Sequence, residues 1–205
     1  MERRILPTRT IELRESDNGN RLTGYGAVFF RDGDPATEFE LWEGVVERIM
    51  PGAFDNAVSE DDVRGMYNHR ELLARTSSGT MRLSIDDVGL RYDIDIPNTT
   101  LGRDLSEHIR RGDVNGSSFA FSITDEPWRK EDNINIREIR GVRLFDTGPV
   151  DFPAYEGTSA GIRAVGDVGE ARNAFEARQN ADKLLRDKVM TRARLVALGI
   201  SRESC

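Results

Sequence analysis

Short runs in which apolar and polar residues alternate occupy the chain as far as about residue 145. The clearest run places Leu90, Tyr92 and Ile94 on one side and charged residues on the other, which is the period of a strand with one buried face. An apolar run precedes it across the turn residues Asp86-Asp87-Val88-Gly89, so we predict a hairpin. The same pattern predicts strands over residues 8–13, 22–30, 39–50, 63–68 and 117–123, and one or two strands with a kink at Gly141 over residues 134–145. It also predicts polar loops over 70–79 and around Trp128, and a chain that leaves the last strand at Asp146.

Helical spacing interrupts this β-rich part before residue 117. Leu101, Leu105 and Ile109 stand at i, i+4 and i+8, so they share one face of a predicted helix. Gly112 is a typical residue to end it, because glycine adopts the left-handed conformation at helix C-termini without strain.

The composition changes after about Ala164. Residues 167–199 lack β-rich runs and are rich in Ala, Arg, Glu and Leu, which predicts one or two helices with an irregular apolar stripe. We therefore predict a domain that is mainly β with flanking helices, an α+β fold, over residues 1–165. A helical or partly disordered C-terminal arm follows over residues 166–205.

Charge and cysteine content exclude several classes of function. The net charge of −7 argues against a general nucleic-acid-binding protein, which needs a basic face to neutralise phosphates. Cys205 is the single cysteine, so we expect no internal disulfide, no Cys/His zinc site and a reducing compartment. No apolar run approaches the roughly 20 residues of a membrane span, and Met1 to Ile5 do not begin a secretory signal. We expect neither a cofactor, a metal nor a membrane partner.

Two stretches about fifty residues apart hold the candidate chemistry. His69 follows an apolar strand, and Ser117 and Ser118 begin another strand behind the Asn115-Gly116 turn. A serine hydroxyl is a weak nucleophile that requires a base within hydrogen-bond reach, and an imidazole is the usual base. His108 is the other histidine, and we interpret it as a half-buried residue of the predicted helix. The functional hypothesis for His69 and the serines competes with a structural one, because single histidines and turn serines are common.

Strand alternation distinguishes between the two serines. Ser117 shares a face with Phe119 and Phe121, which we expect in the core, whereas Ser118 shares a small, open face with Ala120. An attacking hydroxyl needs room, so the spacing favours Ser118.

A third group should orient the imidazole and stabilise its protonated form. Asp146 is a candidate because it stands at the end of an apolar strand before a Gly-Pro turn. Asp93 and Asp95 are alternatives, and each of the three carboxylates could equally be a solvated or turn-capping group. The residues alone leave this choice open.

Several short motifs follow one another between about residues 10 and 160. They are Gly24-Tyr25-Gly26-Ala27-Val28-Phe29, Pro51-Gly52-Ala53-Phe54, Tyr67-Asn68-His69, Gly79-Thr80-Met81-Arg82-Leu83, Gly102-Arg103-Asp104, Gly112-Asp113-Val114-Asn115-Gly116-Ser117-Ser118-Phe119-Ala120-Phe121 and Leu144-Phe145-Asp146-Thr147-Gly148-Pro149-Val150-Asp151-Phe152-Pro153-Ala154-Tyr155. In this order the motifs resemble those of the prohead (capsid maturation) serine proteases of HK97-type tailed phages.

The resemblance implies a fold and a set of site residues. It implies a closed β-barrel core flanked by helices, similar to the herpesvirus assembly proteases. The family nucleophile maps to Ser118, the histidine to His69 and the acidic position to Asp146, where this chain has Thr147-Gly148 in place of the usual Val-Ser. Related viral enzymes use a second histidine as the third member, and His108 would be that residue here.

The resemblance also implies a function and partners. The implied activity is that of a serine endopeptidase that cleaves scaffold protein, major capsid protein and itself inside the assembling prohead, in the cytoplasm of the host or from an integrated prophage. It further implies a homodimer. Two alternatives stay open, namely a catalytically idle head-assembly or scaffolding protein and a small-molecule hydrolase with the same Ser–His pair.

Overall fold

The computed structural model describes residues 1–6, 11–16, 19–151, 162–163 and 169–197. The chain forms two compact units, Met1–Gly166 and Asp167–Cys205. Predicted features at residues 8–10, 17–18, 152–155 and 198–205, including Cys205, lie outside the described residues.

Strands dominate the first unit. The strands are β1 (Glu2–Leu6), β2 (Ile11–Ser16), β3 (Gly19–Val28), β4 (Glu38–Trp42), β5 (Val45–Ile49), β6 (Arg64–Tyr67), β7 (Glu71–Arg75), β8 (Met81–Ile85), β9 (Gly89–Asp95), β10 (Gly116–Asp125), β11 (Trp128–Glu131), β12 (Ile134–Ile139), β13 (Gly141–Val150) and β14 (Ile162–Arg163). The helices are α1 (Asp55–Glu60), α2 (Thr100–Arg111) and, in the second unit, α3 (Gly169–Ala197), with a short 3-10 turn at Pro35–Thr37.

The strands form three sheets. Their orders are β1-β10-β13-β6-β7, β11-β12-β5-β4-β14 and β2-β3-β9-β8. The mainly β character agrees with the alternating sequence, but the expected closed barrel is wrong. Closure requires the two edge strands of a sheet to pair with each other, and within the described ranges each of these sheets keeps two separate edges.

The apolar faces of the sheets and of the short helices meet in one core. Phe119 and Phe121 of β10 are fully buried, with ring centroids 4.9 Å apart, and Phe54 packs edge-on against Phe119 at 5.8 Å. Tyr92 and Ile94 of β9 enter the same cluster, as their alternation predicts. Burial of each such side chain contributes about 1.5–3 kcal/mol, so this face of β10 is firmly fixed.

Four local predictions need correction. Residues 39–50 form the two strands β4 and β5, because Gly44 turns the chain with φ +76°. The predicted loop over residues 70–79 contains β7, which buries Leu73 against the core. The charged segment around Trp128 pairs as β11, and β13 continues past Asp146 to Val150. The last three errors share a cause, since backbone pairing with a neighbouring strand of the sheet holds a segment whose own sequence is too polar or irregular to predict it.

The helices agree more closely with the sequence. The Thr99 hydroxyl accepts a hydrogen bond from Gly102 N at 3.1 Å at the start of α2, and Gly112 closes its other end with φ +84°. The helical prediction for the arm corresponds to the single helix α3. Of the helices in the described part of the chain, none is long and apolar enough to cross a membrane.

Candidate active site

A tight turn between β6 and β7 presents His69. Asn68 and His69 have φ values of +53° and +56°, and Arg70 N donates to Tyr67 O at 3.1 Å across the turn. Two consecutive left-handed residues are the signature of a type I′ hairpin turn, which matches the twist of the flanking strands. The loop expected after His69 is therefore a hairpin, and the imidazole projects from its turn.

The turn is tied to the end of β13. Asn68 N donates to Pro149 O at 3.1 Å, and the Asn68 side-chain oxygen accepts from Asp151 N at 3.2 Å. Strands β6 and β13 also pair in parallel, through Asp146 and Thr147 on β13. The strand that leads into the turn and the turn itself are therefore both attached to β13. His69 is thus held against the strand that carries Asp146.

Strand β10 carries the candidate nucleophile. Ser118 lies opposite Gly148 of β13, and its carbonyl accepts a hydrogen bond from the Thr147 hydroxyl at 3.0 Å. Ser117 points to the opposite face, where its hydroxyl lies 2.8 Å from the Tyr92 hydroxyl in the core. The structure therefore brings Ser118, and not Ser117, towards His69.

Gly148 allows the strands to come close enough. A Cβ atom at this position would lie 2.2 Å from the Met66 carbonyl oxygen on β6, a distance that no side chain tolerates. Without that close approach of β6 to β13, the turn after β6 could not bring His69 within hydrogen-bond distance of Ser118. A glycine here is thus a packing requirement of the site.

A bulge in β13 directs Asp146 to the same face as Ser118. Ala120 pairs with Asp146 but Phe121 pairs with Leu144, so Phe145 is the extra residue and points outward. Bulges re-aim side chains in this way and are frequent next to active sites. Asp146 is buried, and its Oδ1 atom is hydrogen-bonded to His69 Nδ1.

Ser118, His69 and Asp146 form one continuous hydrogen-bonded chain. His69 Nε2 lies 2.6 Å from Ser118 Oγ, while Nδ1 contacts the Asp146 carboxylate. A carboxylate that accepts from Nδ1–H fixes the tautomer in which Nε2 has a free lone pair and can accept the serine proton. This arrangement can generate a serine nucleophile and stabilise an imidazolium.

The Ser118 hydroxyl also meets a second acceptor. Its Oγ atom lies 2.9 Å from the carbonyl oxygen of Arg4 on β1, and Ser118 has no exposed surface. The expected open face around Ser118 is therefore wrong. One hydroxyl hydrogen serves one acceptor at a time, so Arg4 O competes with His69 Nε2 for it.

The alternative third members have partners elsewhere. His108 is exposed near the C-terminus of α2, and its Nδ1 atom lies 3.5 Å from Asp113 Oδ2. Asp93 accepts from the Thr23 hydroxyl at 2.6 Å. Asp95 accepts from two arginines, Arg21 and Arg82, at 3.0 and 2.9 Å.

A buried charge network adjoins the site and was not predicted. Arg4 of β1 forms a two-pronged ion pair with Glu47 of β5, and Glu2 of β1 forms another with Arg137 of β12. Burial raises the pKa of the Glu2 carboxyl, but the hydrogen bond from Arg137 and the charge of Arg4 outweigh it, so the pKa lies below its ordinary value. The available sequence signal was Glu47 itself, a charge between Val45 and Ile49 on the apolar face of its strand.

Comparison with known proteins gives one result. The family model described as caudovirus prohead serine protease matches residues 7–169, which is well over half of the chain. No curated protein matches the chain, and no solved structure does.

Proposed function

We propose, on the premise that this chain belongs to the caudovirus prohead serine protease family, that Ser118, His69 and Asp146 are its catalytic triad. Family membership establishes a serine peptidase that acts in phage capsid maturation. The observation that carries the residue assignment is the continuous chain of hydrogen bonds from Ser118 Oγ through both imidazole nitrogens to the Asp146 carboxylate.

The first half of the reaction forms an acyl-enzyme. Ser118 Oγ attacks the carbonyl carbon of the scissile peptide bond while its proton passes to His69 Nε2. The Asp146 carboxylate stabilises the resulting imidazolium through Nδ1–H. When the C–N bond breaks, His69 gives the proton to the departing amine, and the substrate acyl group remains as an ester on Ser118.

The second half releases the product. Water loses a proton to His69 Nε2 and attacks the ester carbonyl, and the C–O bond to Ser118 breaks. The proton returns to Ser118 Oγ, so the enzyme is regenerated and the product leaves as a carboxylic acid. Each step uses the same two hydrogen bonds of His69.

The proposed substrates are the scaffold protein, the major capsid protein and the chain itself, within the assembling prohead in the host cytoplasm. Capsid-related substrates follow from the family, and the particular proteins are our proposal. The proposed homodimer is a separate prediction from the resemblance, which light scattering of the purified chain tests.

Co-expression with the phage capsid and scaffold proteins tests the assignment. We expect trimming of those proteins by the wild-type chain, and no trimming by Ser118→Ala or His69→Ala. Ser117→Ala is the matched control, because it removes a neighbouring hydroxyl from the opposite face of β10. Trimming that persists in Ser118→Ala would contradict the assignment. Assembly without trimming by any variant would favour an idle head-assembly protein.

A further inference from the structure

Strand β1 lies where a substrate strand would lie. It pairs antiparallel with β10, with Ile5 opposite Ser118, and its Arg4 carbonyl oxygen is 2.9 Å from Ser118 Oγ. Peptides commonly bind by adding a strand to the edge of a sheet, where backbone hydrogen bonds hold them in register. A serine protease attacks the carbonyl carbon of the residue after which the chain is cut, so this register assigns Arg4 to that position. In β1 the Arg4 oxygen accepts a hydrogen bond from Ser118 Oγ, which is not the geometry of attack on the carbon, so β1 can occupy the groove without being cut.

The Arg4 side chain has a specific acceptor. Its Nε and Nη2 atoms donate to the two carboxylate oxygens of Glu47 at 2.5 and 2.8 Å, and the guanidinium lies 5.3 Å from the centre of the Phe121 ring. Glu47 is fully buried. A planar fork on a carboxylate discriminates arginine from every other residue, including lysine.

The charges around β1 favour a cation at this position. Glu47 and Arg137 line the place that β1 occupies, and Arg137 also pairs with Glu47 at 3.0 Å and with the partly exposed Glu126 at 2.5 Å. Without β1, Arg137 is shared between these two carboxylates, and the fully buried Glu47 receives one hydrogen bond from it. An arginine in place of Arg4 gives this buried carboxylate a two-pronged partner, which offsets the cost of its burial.

The second charged residue of β1 gives a further preference. Glu2 receives two hydrogen bonds from Arg137, at 2.9 and 3.0 Å, and one from Arg4 at 2.5 Å. An acidic residue two positions before the arginine would make the same contacts. Arg3, between them, is exposed, so we expect no residue preference at the corresponding position of a substrate.

We propose that β1 occupies the substrate groove of this protease and that Glu47 is its specificity-determining residue, which selects an arginine at the position whose carbonyl faces Ser118. The proposal rests on the proposed function of Ser118. A substrate must displace β1, so β1 inhibits the enzyme in cis, and a weaker hold on β1 increases activity.

Peptide cleavage by the full chain tests the inhibition. The probe is a quenched fluorescent peptide of sequence Met-Glu-Arg-Arg-Ile-Leu, and Arg4→Ala in the enzyme is compared with wild type. We expect kcat/KM to rise at least about tenfold in Arg4→Ala, because the competing strand loses its pair with Glu47. Arg3→Ala is the matched control on the same strand and should match wild type. Equal kcat/KM in Arg4→Ala and wild type would overturn the inhibitory role.

A peptide series tests the specificity. The second arginine of the probe is replaced by lysine, alanine or glutamate, and we expect arginine to be cleaved at least about a hundredfold faster than alanine, with lysine between them. In Glu47→Gln the preference for arginine over alanine should fall at least about tenfold. Glu38→Gln, which removes an arginine-binding carboxylate on the neighbouring strand, should keep it. Equal cleavage of the arginine and alanine peptides by wild type would overturn the specificity.

Covalent labelling distinguishes a failure of the groove assignment from a failure of the proposed catalytic triad. If a fluorophosphonate labels Ser118 but the peptides show no arginine preference, the groove assignment fails and the triad stands. If neither wild type nor Arg4→Ala is labelled or cleaves any peptide, the proposed function fails and the groove assignment with it. Circular dichroism checks the fold of Glu47→Gln. If that variant does not fold, the peptide series on wild type and Arg4→Ala tests the arginine preference without it.

Discussion

His69 occupies a backbone conformation that L-residues seldom adopt. Its φ of +56° follows Asn68 at +53°, and a left-handed residue costs about 1–2 kcal/mol. Histidine, asparagine and aspartate tolerate this region better than other side chains do. The hydrogen bonds from Asn68 to β13 maintain the turn, so local strain is the cost of aiming the imidazole at Ser118 and Asp146.

Replacement of Asp146 by asparagine tests its proposed role directly. Asp146→Asn keeps the size of the side chain but removes the charge that stabilises the imidazolium, so we expect kcat to fall about 10³- to 10⁴-fold with KM little changed. The measurement is steady-state peptide cleavage. His108→Ala and Asp95→Asn are the controls, because their side chains have other partners. A large loss in His108→Ala with a small one in Asp146→Asn would contradict the assignment.

Part of this site could be predicted from the sequence. Alternation along β10 separated the faces of Ser117 and Ser118, because the phenylalanine face must be buried. Alternation did not decide whether Asp146, Asp93 or Asp95 orients the imidazole. The parallel pairing of β13 with β6 is what brings Asp146 to the His69 turn. The close approach at Gly148 depends on the same non-local pairing and has no signal in the local sequence.

Strand β1 is held by buried charge at its two inward-facing residues. Glu2 and Arg4 contact Glu47 and Arg137, and all four side chains are almost fully buried. Removal of one partner from such a network costs about 3–5 kcal/mol because it leaves a buried charge unpaired. The polar sequence of this segment did not predict a strand, since its stability comes from pairing with β10 and from these ion pairs.

The pKa of Glu2 predicts how this stabilisation depends on pH. Its folded-state pKa lies below the ordinary 4.5, so the ionised pair stabilises the fold above about pH 4.5 and the contribution is lost as pH falls through the folded value. We expect the difference in unfolding free energy between wild type and Glu2→Gln to be largest near neutral pH and to shrink below pH 4.5. Urea titrations across this range measure it.

The control for this pH dependence is Glu12→Gln. Glu12 pairs with Arg14 on the surface of β2, where ion pairs contribute little, so this variant should differ little from wild type at any pH. A difference for Glu2→Gln that stays constant from pH 7 to below 4.5 would contradict the proposed stabilisation.

For the whole molecule, the sequence predicted the mainly β fold class but not the order in which the strands pair. The alternating runs indicated a mainly β chain, whereas the pairing of strands far apart in sequence, such as β1 with β10 and β12 with β5, divides it into three open sheets. Those pairings depend on register and on buried polar contacts that local alternation does not encode. Membership of the prohead protease family, expected from the motifs, is confirmed.

We propose that residues 1–165 form the protease domain and residues 166–205 a separate helical arm. Brief digestion of the native chain with trypsin is expected to leave a resistant fragment that ends near residue 165, because a packed core opens less readily than a segment with few buried contacts. Mass spectrometry of the fragment identifies its end. First cleavage within the β-rich part, with the arm intact, would contradict this division.

We propose that Ser118 is a nucleophile that His69 and Asp146 activate. The most direct measurement is mass spectrometric mapping of the residue that a fluorophosphonate modifies in the purified full chain. We predict modification of Ser118 and not of Ser117 in wild type, and none in His69→Ala, because the reaction requires a base on the hydroxyl proton. Modification of Ser117, or equal modification of Ser118 in His69→Ala and wild type, would contradict the assignment of Ser118.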